Sequence, residues 1–320
     1  MVLAGLASLA ITPLMAQKQE EAPEATIKVD VDVVNLFCSV RDKNKAFVKD
    51  LDRKEFTVYE DGKAQELRYF TRETDLPLTI GLLVDVSKSQ ENLIEIEKRA
   101  AYQFFQQVLR PKDMAFLVSF GAEAELLQDY TNSARSLQRA LNELRLSTSV
   151  GGLHPGPVPT SKPRGTILFD TIYLAATEKL RSEVGRKAIV VITDGMDFGS
   201  RVRLKEAVDE AQKSDAIIYS IYYYDARAYG FGFGGGSDGD LRRMSEETGG
   251  RLFRVDGRNT LELIFKEIQE EMRSQYAIGY TPSNTARDGS FRKVEIKLAN
   301  KDFRAQARKG YFAPGPGSSN

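Results

Sequence analysis

The chain has one cysteine, one histidine and no tryptophan among its 320 residues. Structural zinc, iron–sulfur clusters and haem need several thiolates or imidazoles, so Cys38 and His154 together are too few for any of them. A lone cysteine also excludes an internal disulfide. A surplus of one charge is missing too, because 45 Lys and Arg are matched by 45 Asp and Glu. Nucleic-acid binders neutralise phosphates with excess positive charge, and no basic stripe here outlasts a few residues, so no nucleic-acid partner is expected. Beyond the N-terminus no apolar run is long enough to cross a bilayer, and no transmembrane segment is expected in the mature chain. What is present, 42% hydrophobic and 28% charged residues, suits globular domains with solvated faces.

Val2 to Ala16 is apolar, rich in small residues and uncharged, and the chain turns polar at Gln17. That is the pattern of a secretory signal cut after Ala16, although no Lys or Arg precedes the apolar run. The mature protein is therefore expected to be exported, to the periplasm or beyond. Residues 17–25 read as an acidic linker. Val29, Val31 and Val33 then alternate with polar residues, and the phase slips near Val33-Val34 so that Leu36, Cys38 and Val40 carry the apolar face. Cys38 is expected to be a small core residue. Phe56 and Val58, then Asp61-Gly62, then Leu67 and Tyr69 predict a hairpin with a tight turn.

From Leu78 the rhythm changes. LTIGLLVDV (78–86) is a strand buried on both faces, followed by a helix with Ile94, Ala101, Phe105 and Val108 on one stripe. Strands at 114–120, 126–130, 188–193, 217–224 and 252–255 follow. Helices carrying Leu137 and Leu141, Phe169 and Ile172, Leu204 and Ala207, Leu241, and Leu261 to Met272 separate most of them. This alternation predicts an α/β fold, a doubly wound, mostly parallel sheet. The strands at 114 and 126 are too close for a crossover, so one should be an antiparallel edge. After Gln275 period two returns, at Tyr276 to Tyr280, Val294 to Leu298 and Phe303 to Ala307. Three strands on each side are too few for separate sandwiches. They are expected to pair into one small β-sandwich into which the α/β domain is inserted. The expected boundaries are 26–76 and 275–314 for the sandwich, 77–274 for the insert and 315–320 for a tail.

In open α/β sheets, ligands sit at the carboxyl ends of the strands. Those ends carry Asp85-Val86-Ser87-Lys88-Ser89, Thr166 in Arg164-Gly165-Thr166, and Asp194-Gly195. Their hydroxyl and carboxylate oxygens, with no imidazole or thiolate nearby, are ligands for a hard cation: Mg²⁺, with Mn²⁺ or Ca²⁺ as alternatives. Against this, Ser87 and Ser89 could simply cap the helix beginning near Gln90, with Asp194 filling a turn.

LTIGLLVDVSKS, RGTILFD and AIVVITDG resemble the three segments of a von Willebrand factor type A (VWA) domain with an intact metal-ion-dependent adhesion site. The flanking segments are similar to those of VWA-related proteins exported by bacteria. The resemblance implies that Ser87, Ser89 and Thr166 offer hydroxyls to the ion, and that Asp85 and Asp194 bind it directly or through water. It further implies a binding module rather than an enzyme, whose ion takes an Asp or Glu carboxylate of a partner protein in place of water. Asp197 reads either as an acceptor behind the ion or as a solvated turn residue.

Two other functions compete. A metal-dependent hydrolase of the two-metal kind would need more clustered carboxylates than Asp85 and Asp194. A nucleophilic triad would need His154, which stands in a Leu-His-Pro-Gly loop. The Gly-rich run Gly230 to Gly239 lacks the Lys-Ser/Thr of a phosphate loop and reads as a rim of the binding face. The other competitor is a metal-independent envelope scaffold. Tyr222 to Tyr224 read as strand core and edge, and Arg304, Arg308 and Lys309 as a solvated strand face.

Overall fold

The computed structural model describes residues 33–72, 76–147, 165–225 and 238–316. The signal-like segment, the linker, Val29 and Val31, the loop containing His154, and residues 226–237 of the Gly-rich region lie outside the described residues.

The first described strand, β1 (Val34–Arg41), buries Val34, Leu36, Cys38 and Val40. The Cys38 thiol is fully enclosed and burial pushes its pKa up to about 12, so it packs as a small apolar group. β2 (Phe56–Glu60) and β3 (Lys63–Gln65) form a hairpin through Asp61-Gly62. Both turn residues have positive φ, 46° and 82°, as a two-residue turn matched to strand twist requires, and glycine meets that at no steric cost. The returning arm is shorter than the alternation predicts. Leu67 and Tyr69 fall on β4 (Leu67–Thr71), which leaves the hairpin and joins a different sheet. The period-two pattern survives that crossing, which is why the sequence hides it.

The central elements follow in order. They are β5 (Leu78–Asp85), α1 (Ile94–Val108), β6 (Met114–Phe120), β7 (Ala124–Thr131), α2 (Ala134–Glu143) and α3 (Leu168–Leu174), continued by a π-helical stretch, Ala175–Leu180. Next come β8 (Arg186–Thr193), α4 (Leu204–Lys213), β9 (Ala216–Tyr222), α5 (Asp238–Thr248), β10 (Leu252–Arg254) and α6 (Leu261–Met272). The six strands are ordered β10-β9-β8-β5-β6-β7, all parallel except β7, the expected antiparallel edge. Every residue of β5 and β8 is buried. Leu82 and Val84 pack with α1, α2 and α6 on one face, while Leu83, Ile189 and Val191 pack with α3, α4 and α5 on the other. Each such side chain contributes about 1.5–3 kcal/mol by leaving water. This is the doubly wound α/β fold that the alternation predicts.

The last four strands are β11 (Tyr276–Tyr280), β12 (Phe291–Leu298), β13 (Arg304–Gln306) and β14 (Gly310–Phe312). The sequence predicts three; β14 has three residues and opens with glycine, too short to display a period. Two four-stranded sheets result, β13-β1-β11-β4 and β14-β12-β2-β3, and each takes two strands from before the central elements and two from after. Leu36, Val58, Ile278 and Val294 share one core between them. Glu60 on β2 accepts the hydroxyl of Tyr280 from the facing sheet (2.8 Å), which stitches the layers across that core, and the hydroxyl of Tyr311 from its own sheet (2.9 Å).

Charged side chains join sandwich to sheet. Arg41 on β1 meets Glu267 (2.9 Å) and Glu271 (3.1 Å) of α6, and Arg251 meets the same two carboxylates at 2.8 Å each. Ser39 adds a 3.3 Å bond to Glu271, whose side chain is only 1% exposed. Arg308 corrects the expectation of a solvated face: it pairs with Asp215, just before β9, and donates to the Asn35 carbonyl at 2.7 Å. Arg304 and Lys309 are not enclosed in this way: both are exposed. Removing one partner from a buried pair strands the other charges in a poorly solvated place. Glu271→Ala should therefore lower unfolding free energy by about 3 kcal/mol in urea titration, while Lys98→Ala, which removes one partner of a surface pair with Glu95, should change it by less than about 1 kcal/mol.

Candidate metal centre

Three strand ends build the centre. Chain order reverses at β5: the chain runs from β5 to β6 on one side and later returns to β8 on the other. The crevice at such a reversal is where open α/β sheets bind ligands. β5 and β8 pair in register up to Val84 opposite Ile192, so Asp85 and Thr193 end side by side and Asp194 follows directly. Asp85 is fully buried and Asp194 is 1% exposed.

Asp85 is held at both oxygens. Oδ1 accepts the Ser87 backbone N–H (2.8 Å), which curls the chain into a tight turn, and Oδ2 accepts the Thr193 hydroxyl (2.6 Å). Ser87 and Ser89 then face each other with Oγ atoms 2.9 Å apart. Neither the short helical turn at Lys88–Gln90 nor α1 has a side-chain cap. The two hydroxyls are thus not used as helix caps, and the capping alternative fails. Gly195 has φ of +78°, a conformation that swings the loop away behind Asp194, while the Met196 N–H donates to Asp194 Oδ1 at 3.1 Å.

Thr166 arrives from the side. The Ile167 N–H donates to the Gly121 carbonyl beyond β6 (2.9 Å), and the Thr166 carbonyl accepts the Phe198 N–H beyond β8 (3.1 Å). These bonds suspend Thr166, 5% exposed, between the strands that flank β5. The five residues named from the sequence therefore converge on one edge. Asp197 acts differently. Its Oδ1 accepts the Phe169 N–H (3.2 Å) and the Ser200 hydroxyl (2.6 Å), tying the loop after β8 to the start of α3.

Burial raises the Asp85 carboxyl to about 6, with the Thr193 hydroxyl opposing and the Asp194 charge reinforcing the rise. Sequence reasoning misses a third acid. Glu97, on α1, is 1% exposed, has no hydrogen-bond partner at either oxygen, and is pushed well above the carboxylate range by burial and by the charges of Asp85 and Asp194. Its signal is positional. Glu97 lies three residues after Ile94 and four before Ala101, squarely on the apolar stripe where a solvated charge does not belong. Phe198, 68% exposed, is a second omission, a large aromatic on the loop that touches Thr166. Beside that loop a cavity of about 390 Å³ is lined by Glu123, Ile167, Asp170 and Arg201 among others.

These side chains fit a hard cation. The donors are all oxygen, and the hydroxyl pair is not spent on its own helix. The enclosed Asp85 carboxylate is met by a backbone N–H and a hydroxyl, neither of which carries a positive charge.

No family model matches the chain. A protein of Borreliella burgdorferi named only as uncharacterized is 23% identical over 218 residues, 68% of this chain. The chain spans 59% of that relative's length. Among solved structures, proximal thread matrix protein 1 of the mussel byssus, with a zinc-occupied MIDAS motif, aligns with a TM-score of 0.50 and 14% identity. That alignment covers 67% of this chain and 49% of the mussel protein. The conserved hypothetical protein BatB of Bacteroides thetaiotaomicron gives 0.46 at 19% identity, covering 61% and 97%. The vWF domain of the pilus tip protein Mfa5 of Porphyromonas gingivalis gives 0.42 at 13%, covering 61% and 94%. The six-stranded sheet and its helices have the fold of a von Willebrand factor type A domain.

Proposed function

We propose that this protein is an exported, metal-dependent protein-binding module, whose cation is held by Asp85, Ser87, Ser89, Thr166 and Asp194. The observation that carries the reading is the placement of the Ser87–Ser89 hydroxyl pair, unused as helix caps, beside two buried carboxylates at the sheet's reversal point. The zinc-occupied MIDAS motif of the mussel protein supports it by analogy of fold. Mg²⁺ is the proposed ion, since hydroxyls and carboxylates suit a small hard cation.

Bound there, the cation supplies an electrophilic position at which an Asp or Glu carboxylate of a partner protein replaces water. The chain's own residues prepare that position. Thr193 and the Ser87 N–H fix the Asp85 carboxylate, and the Ser87, Ser89 and Thr166 hydroxyls would add no negative charge of their own to the ion. Phe198 offers an apolar contact beside it, of the kind that anchors interfaces. The N-terminal pattern of residues 1–16 supports export. No helix among the described residues is long and apolar enough to cross a membrane. Two carboxylates among the five ligand residues are fewer than a two-metal hydrolase clusters, which favours binding over hydrolysis.

Calorimetric titration of Mg²⁺ into chelator-treated protein should show saturable binding that Asp85→Ala abolishes. A partner held through the ion should dissociate in chelator; equal binding with and without chelator would sink the metal reading and favour the scaffold.

The metal-free protein also has a pH signature. Asp85 binds its proton more tightly folded, at about 6, than at its ordinary value of 3.8, so deprotonation works against the fold. Stability in chelator should therefore fall by roughly 3 kcal/mol as pH rises from about 4 to about 6. Asp85→Asn should reduce that slope in urea unfolding measured across the same range, leaving the part that Glu97 contributes above its ordinary value of 4.5.

A further inference from the structure

Behind the five oxygen ligands lies a second polar layer that their chemistry does not use. The helical turn after Ser89 runs into α1, and Gln90, Leu93 and Glu97 are linked along it by backbone bonds: Leu93 N–H to Gln90 carbonyl (2.9 Å) and Glu97 N–H to Leu93 carbonyl (3.0 Å). Spacings of three and four put Gln90 and Glu97 on one helix face, toward the sheet. Gln90 is fully buried; its amide donates to the Tyr223 carbonyl at 3.3 Å, and its Oε1 has no partner. Tyr223 in turn donates its N–H to the Thr193 carbonyl at 2.9 Å, and the Thr193 hydroxyl reaches Asp85. A continuous path of contacts thus joins the start of α1 to the floor of the metal centre. Along that path sit three enclosed acceptor oxygens with nothing donating to them: Gln90 Oε1 and both oxygens of Glu97.

Buried polar atoms are almost always paired, so three orphans in one place call for a ligand. Burial and, after it, the like charges of Asp85 and Asp194 act on Glu97 and raise its carboxyl. The group that would pair all three orphans and relieve the crowding of like charge is a hydrated divalent cation at the neighbouring site, its inward water donating to these oxygens.

We propose that Glu97, supported by Gln90, forms the inner wall of the cation site. It accepts hydrogen bonds from an inward-facing water of the ion and supplies a third negative charge, so that this chain holds a divalent cation tightly before any partner arrives. Glu97 is on this view a positioning residue for the cation and touches no partner. The inference rests on the reading of Asp85 and Asp194 as cation ligands.

The test is calorimetric titration of Mg²⁺ into chelator-treated full chain, parent against Glu97→Gln, with thermal unfolding of both in chelator. Glu97→Gln keeps shape and removes charge. It should weaken Mg²⁺ binding about 10- to 100-fold, the usual effect of losing such an outer partner. The melting temperature in chelator should stay level or rise, because an unpaired buried acid has been removed, while the upward shift caused by Mg²⁺ should shrink. Glu97→Asp, which retains the charge one methylene further back, should recover part of the affinity. A Glu97→Gln affinity within threefold of the parent overturns the role of Glu97 and leaves the metal centre standing. A lower melting temperature in chelator with unchanged affinity assigns Glu97 to the fold alone and overturns it as well. Parent protein that binds no Mg²⁺ overturns both readings.

Discussion

The candidate metal centre depends on the parallel pairing of β5 with β8. That pairing is what a sheet built from the middle outward produces: the chain lays down β5, builds to one side, then returns to the other. At the return two strands diverge at their carboxyl ends, and a crevice opens between the connections that leave them in opposite directions. The pairing sets Val84 against Ile192, and from that register the remaining geometry follows. Asp85 meets the Thr193 hydroxyl, Asp194 emerges beside it, and the loops leaving β6 and β8 catch the segment that presents Thr166. A slip of one residue would turn Asp85 toward a helix layer and dismantle the centre.

The sandwich restrains the two ends of the insert. Because each of its two layers mixes strands from before and after the central elements, neither layer closes until the whole insert has been traversed. The sandwich therefore ties those ends together, and Glu271 and Glu267 make α6 part of that tie through Arg41 and Arg251. Such pairs add little net stability compared with apolar packing of the same volume; what they impose is a single seating, since any other leaves charges unpaired. Gln306 and Lys309 extend the seam by bonding to Gly250 and Glu247 backbone carbonyls.

Much of this is legible in the sequence for definite reasons. A run such as LTIGLLVDV has only one comfortable place, a strand covered on both faces, and oxygen-bearing residues directly after such strands must lie at one sheet edge. The hairpin arm at Leu67 misleads because alternation reports which residues are buried and is silent on which strand they pair with. β14 escapes because three residues carry no period. Arg308 looks like a surface residue in a strand of mixed polarity; only the tertiary approach of Asp215 encloses it. Glu97 is the instructive omission. A charge on the apolar stripe of an amphipathic helix is a local contradiction, and contradictions of that kind gather where a site is built.

The centre is also the place where this fold works against itself. Three acids, Asp85, Asp194 and Glu97, share a region closed to solvent, and the burial that raises the first and third penalises each of their charged forms. Elsewhere the chain avoids this: Glu271 is enclosed with two guanidinium groups, and Glu60 receives two phenol hydroxyls. The contrast separates structural acids from the acids of the site. Glu271 and Glu60 are satisfied by the chain itself, whereas Glu97 is left without a donor and Asp85 is held only by neutral ones. On the proposed reading, a divalent cation bound there would relieve at once the repulsion, the desolvation and the orphaned oxygens that the polypeptide leaves unresolved.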